Sequence, residues 1–363
     1  MPGTHPLRRL ALRRSLQAAE LDALLVTDLL NVRYLTGFTG SNAALLVAVD
    51  GDAESVFCTD GRYDTQSRQQ VPDLRRVIDR RCDLALAAAA AEAGYARLGF
   101  ESHRVTVDGH TALAGTAPKV ELVRAPGMVE ALRMVKDDTE VEALRMACAA
   151  ADRALADLIA HGGLRQGRTE REVARELEER MLDHGASGPS FDSIVAAGAN
   201  SAVPHHRPTD AVLRRGDFVK LDFGALVDGY HSDMTRTVVL GEPADWQLEV
   251  YQLVATAQAT GRAALRPGAG VREVDAAARE VIDKAGHGEE FVHGLGHGVG
   301  LEIHEAPTLS KLGDGKLAAG MAVTVEPGVY LPGRGGVRIE DTLVVRDDKP
   351  ELLTLTTKEL VVV

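Results

Sequence analysis

Cysteine is scarce in this sequence, and its few copies form no binding or cross-linking pattern. The 363 residues include three cysteines, Cys58, Cys82 and Cys148. They are scattered, odd in number and form no C-x-x-C pair, so the sequence supports neither a disulfide framework nor a zinc knuckle. We therefore expect a protein of the reducing cytoplasm.

An excess of positive charge and long apolar runs are also lacking. Lys and Arg number 41 against 53 Asp and Glu, for a net charge of −12, which disfavours nucleic acid and anionic membranes as partners. No stretch approaches the roughly 18 apolar residues that span a bilayer. No G-x-G-x-x-G follows the first predicted strand, which disfavours a dinucleotide site. Residues 1–27 place arginines among Leu and Ala without the apolar core of a signal peptide, so we predict a surface helix, with a transit peptide as the minor alternative.

The sequence pattern changes near residue 130, which predicts two domains. Before this point, apolar runs such as LDALLVTD and AALLVAVD alternate with helical stretches such as DLALAAAAAEAG. This alternation predicts an α/β domain over residues 1–128. Beyond it, predicted helices accompany strands joined by tight turns, which is typical of an α+β domain with an antiparallel sheet, over residues 129–363.

Local sequence signals predict helices in the second domain. Residues 129–160 predict one long, mostly uninterrupted helical run. Thr169 and Glu172 form a capping box that begins the next helix, and Gly185 stands where that helix would end.

Five potential metal ligands stand in strand-like or turn-like stretches of the second domain. Burying four carboxylates together is costly, because each loses its hydration and repels the others. Two divalent cations would balance the four negative charges, so the set predicts a two-metal hydrolytic site. The ligands are four carboxylates and one imidazole: Asp222, Asp233, His297, Glu326 and Glu340.

Sequence spacing brings these ligands together in pairs. Asp222 and Asp233 flank a candidate hairpin whose turn is the Asp-Gly pair at 228–229. Glu326 and Glu340 are symmetric about Gly333 in the turn LPGRGG, so a second hairpin would join them. His297 lies in GLGHGVG, where glycines permit a close approach to a ligand.

Five segments resemble the pita-bread metallopeptidases, which include methionine aminopeptidase, prolidase, aminopeptidase P and creatinase. They occur in family order: NSAVPHH, LDFGALVDGYHSDMTRT, HGLGHGVGLEIHE, TVEPGVY and GVRIED. The preceding α/β domain resembles the N-terminal domain of the creatinase, prolidase and aminopeptidase P branch. The resemblance implies an N-terminal creatinase-like α/β domain followed by an α+β pita-bread catalytic domain.

The resemblance also implies a role for each ligand. Asp222 would chelate one metal, Asp233 and Glu340 would bridge two metals, and His297 and Glu326 would complete the second. It implies two divalent ions, usually Mn²⁺, with Co²⁺ or Zn²⁺ as substitutes, and this oxygen-rich set suits manganese. Glu326 would also move a proton from the nucleophile, which makes it a catalytic residue.

Four further catalytic residues are implied in the same way. His205, His293 and His304 fall in family motifs, and would donate hydrogen bonds to the substrate and frame a proline pocket. The neighbouring His206 makes a one-residue slip at His205 an alternative. Arg338 precedes Glu340 by two residues, so on a strand both would face one side, where Arg338 would orient that carboxylate or hold a substrate carboxylate or carbonyl.

The expected substrate is a peptide with proline in second position. NVRYLTGFTGS and TDGRY resemble the N-terminal domain of short bacterial aminopeptidase P enzymes, so we expect an aminopeptidase P that releases the N-terminal residue, with Xaa-Pro dipeptidase (prolidase) as the alternative. A methionine aminopeptidase or a non-catalytic pita-bread binding protein fits less well. We expect a homodimer, in which Tyr63 and the loop at 37–41 are candidates to border the partner's active site.

Overall fold

The computed structural model describes residues 3–363. The chain folds as two compact units, which divide between Arg133 and Met134. A boundary after residue 128 stays a prediction. No helix within residues 3–363 is long and apolar enough to cross a membrane.

The first unit is built on a six-stranded sheet in the order β4-β3-β2-β1-β5-β6. Strand β1 pairs antiparallel with β2 and parallel with β5, so the sheet is mixed. Its elements are α1 Thr4–Ala18, β1 Ala23–Val26, α2 Leu29–Thr36, β2 Ala43–Ala48, β3 Val56–Thr59, α3 Asp64–Gln70, β4 Arg75–Ile78, α4 Cys82–Glu92, β5 Arg97–Phe100, α5 Val107–Thr116, β6 Glu121–Arg124 and α6 Met128–Arg133. Alternating strands and helices give the predicted α/β class.

The first helix is held by its arginines rather than by a wholly apolar face. Arg9 is fully buried and forms ion pairs with Asp52 and Asp73. Arg13 also pairs with Asp52. A surface helix was predicted here, and the helix does form, but three of its arginines are buried: Arg8, Arg9 and Arg13.

The second unit combines helices with antiparallel sheets, as predicted. Three strands pair in the order β12-β9-β8 and five in the order β14-β13-β15-β18-β19. Its elements are α7 Asp138–Ala160, α8 Glu170–Asp183, β7 Gly188–Pro189, β8 Ile194–Ala197, β9 Phe218–Phe223, β10 Ala225–Val227, β11 Tyr230–His231, β12 Met234–Val239, α9 Asp245–Ala264, α10 Val271–Lys284, β13 Gly296–Gly298, β14 Glu305–Leu309, β15 Ala322–Val325, β16 Gly328–Leu331, β17 Gly335–Arg338, β18 Asp341–Val344 and β19 Glu351–Leu352.

The helical run predicted over residues 129–160 forms as two helices, α6 and α7, because the chain is extended between them. Val135 forms a bridge with Met321, and the amide of Lys136 donates to Gly320. Asp137 then caps α7 in a capping box with Glu140. Tertiary pairing thus overrides the helical pattern at this point.

Two helix pairs enclose the strands that carry the site. The buried face of α7 uses small residues at helical spacing, including Ala147, Ala151 and Ala154, and it packs with α8 against β9 and β12. Helices α9 and α10 pack in a second cluster with β15 and β18. The predicted capping box of Thr169 and Glu172 begins α8. These contacts fix the strand ends at which the candidate ligands stand.

Candidate metal centre

One cavity of about 500 Å³ in the second unit contains every predicted site residue. Nine residues chosen from sequence line it, although they are spread over more than 130 positions. They are His205, Asp222, Asp233, His293, His297, His304, Glu326, Arg338 and Glu340. The fold therefore brings the whole predicted set to one place.

The first acidic pair is placed by the predicted hairpin. Leu226 pairs with His231 across the turn at Asp228 and Gly229, whose φ angles are 48° and 75°. Asp222 lies opposite Thr235 in the ladder between β9 and β12, so Asp233 stands two residues before that partner. Asp222 on β9 and Asp233 directly before β12 thus both line the cavity.

The second acidic pair also lies on a hairpin with the predicted register. Gly328 pairs with Arg338 across the turn, and the next ladder pairs Val325 with Asp341. Both pairs are symmetric about Gly333, as are Glu326 and Glu340. Glu326 and Glu340 themselves lie between the two ladders, at positions outside the strands.

The imidazole ligand is positioned by strand β13 and its two glycines. A Cβ at Gly296 would lie 2.0 Å from the carbonyl oxygen of Thr324, and one at Gly298 would lie 2.2 Å from that of Ala306. Nδ1 of His297 lies 3.0 Å from the Gly298 carbonyl oxygen, which can only accept. Nδ1 therefore carries the proton, and Nε2 is directed at the carboxylates as an imidazole ligand requires.

The carboxylates converge on this imidazole. Nε2 of His297 lies 3.5 Å from Oδ2 of Asp233 and 3.5 Å from Oε1 of Glu326. Ligand atoms of Asp233, His297 and Glu340 all lie within 4.8 Å of one another. Such a group of oxygen and imidazole donors is a fitting set for a divalent cation.

Burial and mutual repulsion make these acids retain protons when no cation is present. Burial raises the pKa of Asp233 to about 6 and that of Glu326 to about 7. Burial followed by the charge of Asp233 raises the pKa of Glu340 well above its usual value. Burial lowers the pKa of His297, but its hydrogen bond to Asp233 and the charge of Glu326 outweigh this and raise it to about 9.

Two carboxylate oxygens at the site lack any hydrogen-bond partner. Oδ1 of Asp222 and Oε1 of Glu340 are both buried, and neither has a partner among the residues that the structure describes. Their sister oxygens are satisfied, by Arg338 and by Thr235 respectively. A buried polar atom without a partner is costly, and metal cations among these residues would satisfy both oxygens.

Arg338 contacts a different carboxylate from the one expected. Its guanidinium donates to Asp222 and to the hydroxyl of Tyr330, but it makes no hydrogen bond to Glu340. Arg338 reaches Glu340 indirectly: its Nε donates to the hydroxyl of Thr235 at 3.0 Å, and that hydroxyl donates to Oε2 of Glu340 at 2.7 Å. The expectation that Arg338 orients Glu340 or holds a substrate carboxylate or carbonyl stays a prediction.

The two adjacent histidines of NSAVPHH have different surroundings. Nε2 of His206 lies 2.8 Å from Oε2 of buried Glu170. His205 has no hydrogen bond to any of residues 3–363, and burial followed by the charge of Arg338 lowers its pKa. His205 therefore presents a free imidazole, whereas His206 is held by the scaffold.

The other two predicted histidines also differ from each other. His293 has both ring nitrogens engaged: Nδ1 donates to the Gly294 carbonyl at 2.8 Å, and Nε2 accepts from Tyr330 at 2.8 Å. Burial lowers the pKa of His293 to about 3, so the ring is neutral. The His304 ring packs edge-on against His297 with 4.4 Å between centroids, and in the described part of the chain it has no hydrogen bond. His304 is thus available to a ligand, while His293 would first have to release a partner.

Lys220 and Glu170 support the site and were not predicted from the sequence. Nζ of buried Lys220 donates to the carbonyls of Val203 and Pro204 at 2.6 and 3.1 Å. Glu170 receives hydrogen bonds from His206 and from the backbone and hydroxyl of Thr209. Lys220 lies two residues before Asp222 on the same strand, and this position could have identified it. No local sequence pattern indicated the role of Glu170.

Comparison with known proteins identifies the family. Residues 142–347 match metallopeptidase family M24, and residues 8–135 match the creatinase/prolidase N-terminal domain. The chain belongs to metallopeptidase family M24. As an M24 metallopeptidase it is an enzyme with the pita-bread catalytic fold, and membership implies divalent metal ions, in agreement with the donor set described above.

Three relatives show how far the similarity extends. The structure of an Xaa-Pro dipeptidase from Bacillus anthracis is 40% identical, with a TM-score of 0.94, and the match covers 99% of this chain and 100% of that one. The structure of an X-Pro aminopeptidase from Thermotoga maritima is 33% identical, with a TM-score of 0.89, and the match covers 98% of this chain and 99% of that one. An Xaa-Pro dipeptidase of Pyrococcus horikoshii is 35% identical over 94% of this chain and 95% of its own length. Both M24 activities predicted from sequence are thus represented among its relatives.

Proposed function

We propose that this protein hydrolyses the Xaa-Pro bond of peptides and releases the N-terminal residue. The observation that carries a metallopeptidase centre is the pair of buried, unsatisfied oxygens on Asp222 and Glu340 beside the His297 cluster. The Xaa-Pro specificity is supported by the names of the relatives. Aminopeptidase P was the first expectation from sequence, but the 40% identity to an Xaa-Pro dipeptidase favours dipeptides as substrates.

The proposed metal ligands are the five predicted residues. Asp222 would hold one ion, Asp233 and Glu340 both ions, and His297 and Glu326 the other. Bound divalent ions would activate water and polarise the scissile carbonyl. Manganese is the proposed metal, because four carboxylates and a single imidazole favour a hard cation.

The chain's own residues would orient the substrate and handle protons. Glu326, whose pKa burial raises to about 7, can accept and return a proton near neutral pH. His205 and His304 have free imidazoles at the cavity and would contact the peptide. Apolar residues of the same wall would receive the proline ring: Phe191, Ile194, Ile303 and Pro208.

A peptide panel tests this function. Protein freed of metal and reloaded with Mn²⁺, Co²⁺ or Zn²⁺ is offered Ala-Pro, Ala-Pro-Ala, a longer Xaa-Pro peptide and Met-Ala-Ser. We expect metal-dependent release of alanine from Ala-Pro, with weaker action on the longer peptides and none on Met-Ala-Ser. Cleavage of Met-Ala-Ser alone would instead indicate a methionine aminopeptidase. Inactivity with all three metals would contradict a peptidase.

A homodimer and a cytoplasmic location remain predictions. Light scattering coupled to gel filtration tests the first. Activity of a monomeric variant on tripeptides tests the predicted border role of Tyr63, because full activity would rule that role out.

A further inference from the structure

Arg207 is a cation at the cavity that has no partner within residues 3–363. Its side chain is exposed and lines the cavity together with the candidate ligands. Across residues 3–363 it has neither a hydrogen bond nor an ion pair. The other arginine of the cavity, Arg338, is buried and already bound to Asp222 and Tyr330. Arg207 is therefore the permanent positive charge that remains available to a ligand.

The backbone around Arg207 is fixed on both sides. On one side, Lys220 binds the carbonyls of Val203 and Pro204, and Arg338 donates to the Pro204 carbonyl at 3.1 Å. On the other side, Glu170 binds His206 and Thr209. Segment 203–209 thus presents its unbonded side chains, His205 and Arg207, from an anchored loop, which lowers the entropy lost when a ligand binds.

The chemistry of a dipeptide matches this arrangement. An extended dipeptide spans about 7 Å, so its free carboxylate must lie close to the reacting bond. A carboxylate held at this cavity is stabilised by a cation, and a guanidinium can bind it through two parallel hydrogen bonds. In a longer peptide the same position is a neutral amide, which gains nothing from a guanidinium charge.

We propose that Arg207 binds the C-terminal carboxylate of dipeptide substrates and so determines the preference for dipeptides over longer peptides. This inference rests on the proposed Xaa-Pro peptidase function. It adds the recognition of peptide length, which depends on a side chain outside the metal centre.

A comparison of an acid with its amide tests the role of Arg207. Wild type, R207Q and R207K are loaded with Mn²⁺ and assayed on Ala-Pro and on Ala-Pro-amide. We expect R207Q to lose about 10- to 100-fold in kcat/KM on Ala-Pro, chiefly through KM, because a charge-assisted hydrogen bond to the substrate is lost. Activity on the amide should change less than about twofold, and R207K should recover part of the loss.

The matched control is R266Q, which removes an exposed arginine of the same unit outside the cavity. It should behave as wild type on both substrates. Equal losses of R207Q on acid and amide, or no loss on the acid, would overturn the role of Arg207. Failure of the wild type to cleave either substrate would instead reject the underlying Xaa-Pro function, so the two failures are distinguishable.

Discussion

Arg338 donates a hydrogen bond to Oδ2 of Asp222, while Oδ1 of that carboxylate is buried without a partner. One carboxylate thus has one oxygen satisfied by the protein and the other left for a cation. The same guanidinium binds Tyr330, which in turn binds His293. A continuous set of hydrogen bonds therefore joins the candidate ligand Asp222 to His293, and both residues line the cavity.

Removing Arg338 should destabilise the metal-free protein more than the metal-loaded protein. R338Q leaves the charge of Asp222 buried without its partner, so we expect the free energy of unfolding in chelator to fall by about 3–5 kcal/mol. Bound Mn²⁺ supplies a replacement charge and should reduce that deficit. Urea unfolding followed through the single tryptophan, Trp246, measures both values. An equal deficit with and without Mn²⁺ would contradict the proposed contact between Asp222 and metal.

Asp233→Asn should abolish turnover while leaving the fold intact. The change removes one proposed bridging charge, so the loss in kcat should exceed the about 10- to 100-fold typical of residues that only support a metal ligand. D228N, in the turn of the same hairpin, is the control, because Asn tolerates the positive φ of Asp228. Steady-state kinetics and circular dichroism check both variants. Near-normal turnover of D233N would reject the two-metal mechanism.

Stabilisation by Mn²⁺ should grow as pH rises from about 5 to 9. The folded-state pKa values of Asp233, Glu326 and His297 are raised, to about 6, 7 and 9. Groups with raised pKa contribute stability that is present at low pH and is lost as pH rises through those values. Metal binding displaces the same protons, so the stabilisation by Mn²⁺ increases in that pH window. Melting temperatures with Mn²⁺ and with chelator measure the difference, and a constant difference across this range would contradict the prediction.

The destabilisation that buried Lys220 causes should decrease as pH rises. Burial, followed by the charge of Arg338, lowers its pKa to about 6, so the folded protein binds fewer protons than the unfolded chain between that value and about 10.5. Wild type should therefore gain stability relative to K220M as pH rises through this window. Parallel denaturation of both proteins in chelator at pH 6, 7.5 and 9 checks the sign. The trend would be contradicted by a difference that stays flat or falls.

K220M should also impair catalysis through the segment that carries His205. Without Nζ, the carbonyls of Val203 and Pro204 lose a donor, and a misplaced contact residue can cost about 10- to 100-fold in rate. Mn²⁺ content should be unchanged, since Lys220 is not a proposed ligand. Metal analysis beside kinetics separates the two effects. Loss of metal together with activity would show that Lys220 supports the ligands themselves.

The sequence predicts the parts of the fold that depend on local hairpin turns. Asp228 and Gly229 select the turn of one hairpin, and the pairs around Gly333 follow from the Gly- and Pro-rich turn of the other. Since strand register propagates from a turn, the positions of all four carboxylates follow. The sequence did not predict the break in the helix between Arg133 and Asp138, because the break depends on the pairing of Val135 with Met321, which is distant in sequence.

Contacts between side chains and groups distant in sequence were equally unpredictable. Lys220 and Glu170 act on segment 203–209, and neither lies in a pattern that predicts the segment it binds. Arg338 illustrates the same limit: its place near the acids was predictable from strand alternation, whereas its partner Asp222 is 116 residues away.

The crowding at Gly296 and Gly298 has a consequence for anyone who would re-engineer the pocket. Any added side chain there meets backbone carbonyls of Thr324 and Ala306, which cannot rotate away. A mutant library should keep these two positions invariant, or most of its members will lose the imidazole ligand. Diversity belongs instead at Phe191 and Ile303, apolar wall residues through which a directed-evolution campaign could alter the acceptable second residue without disturbing the metal centre.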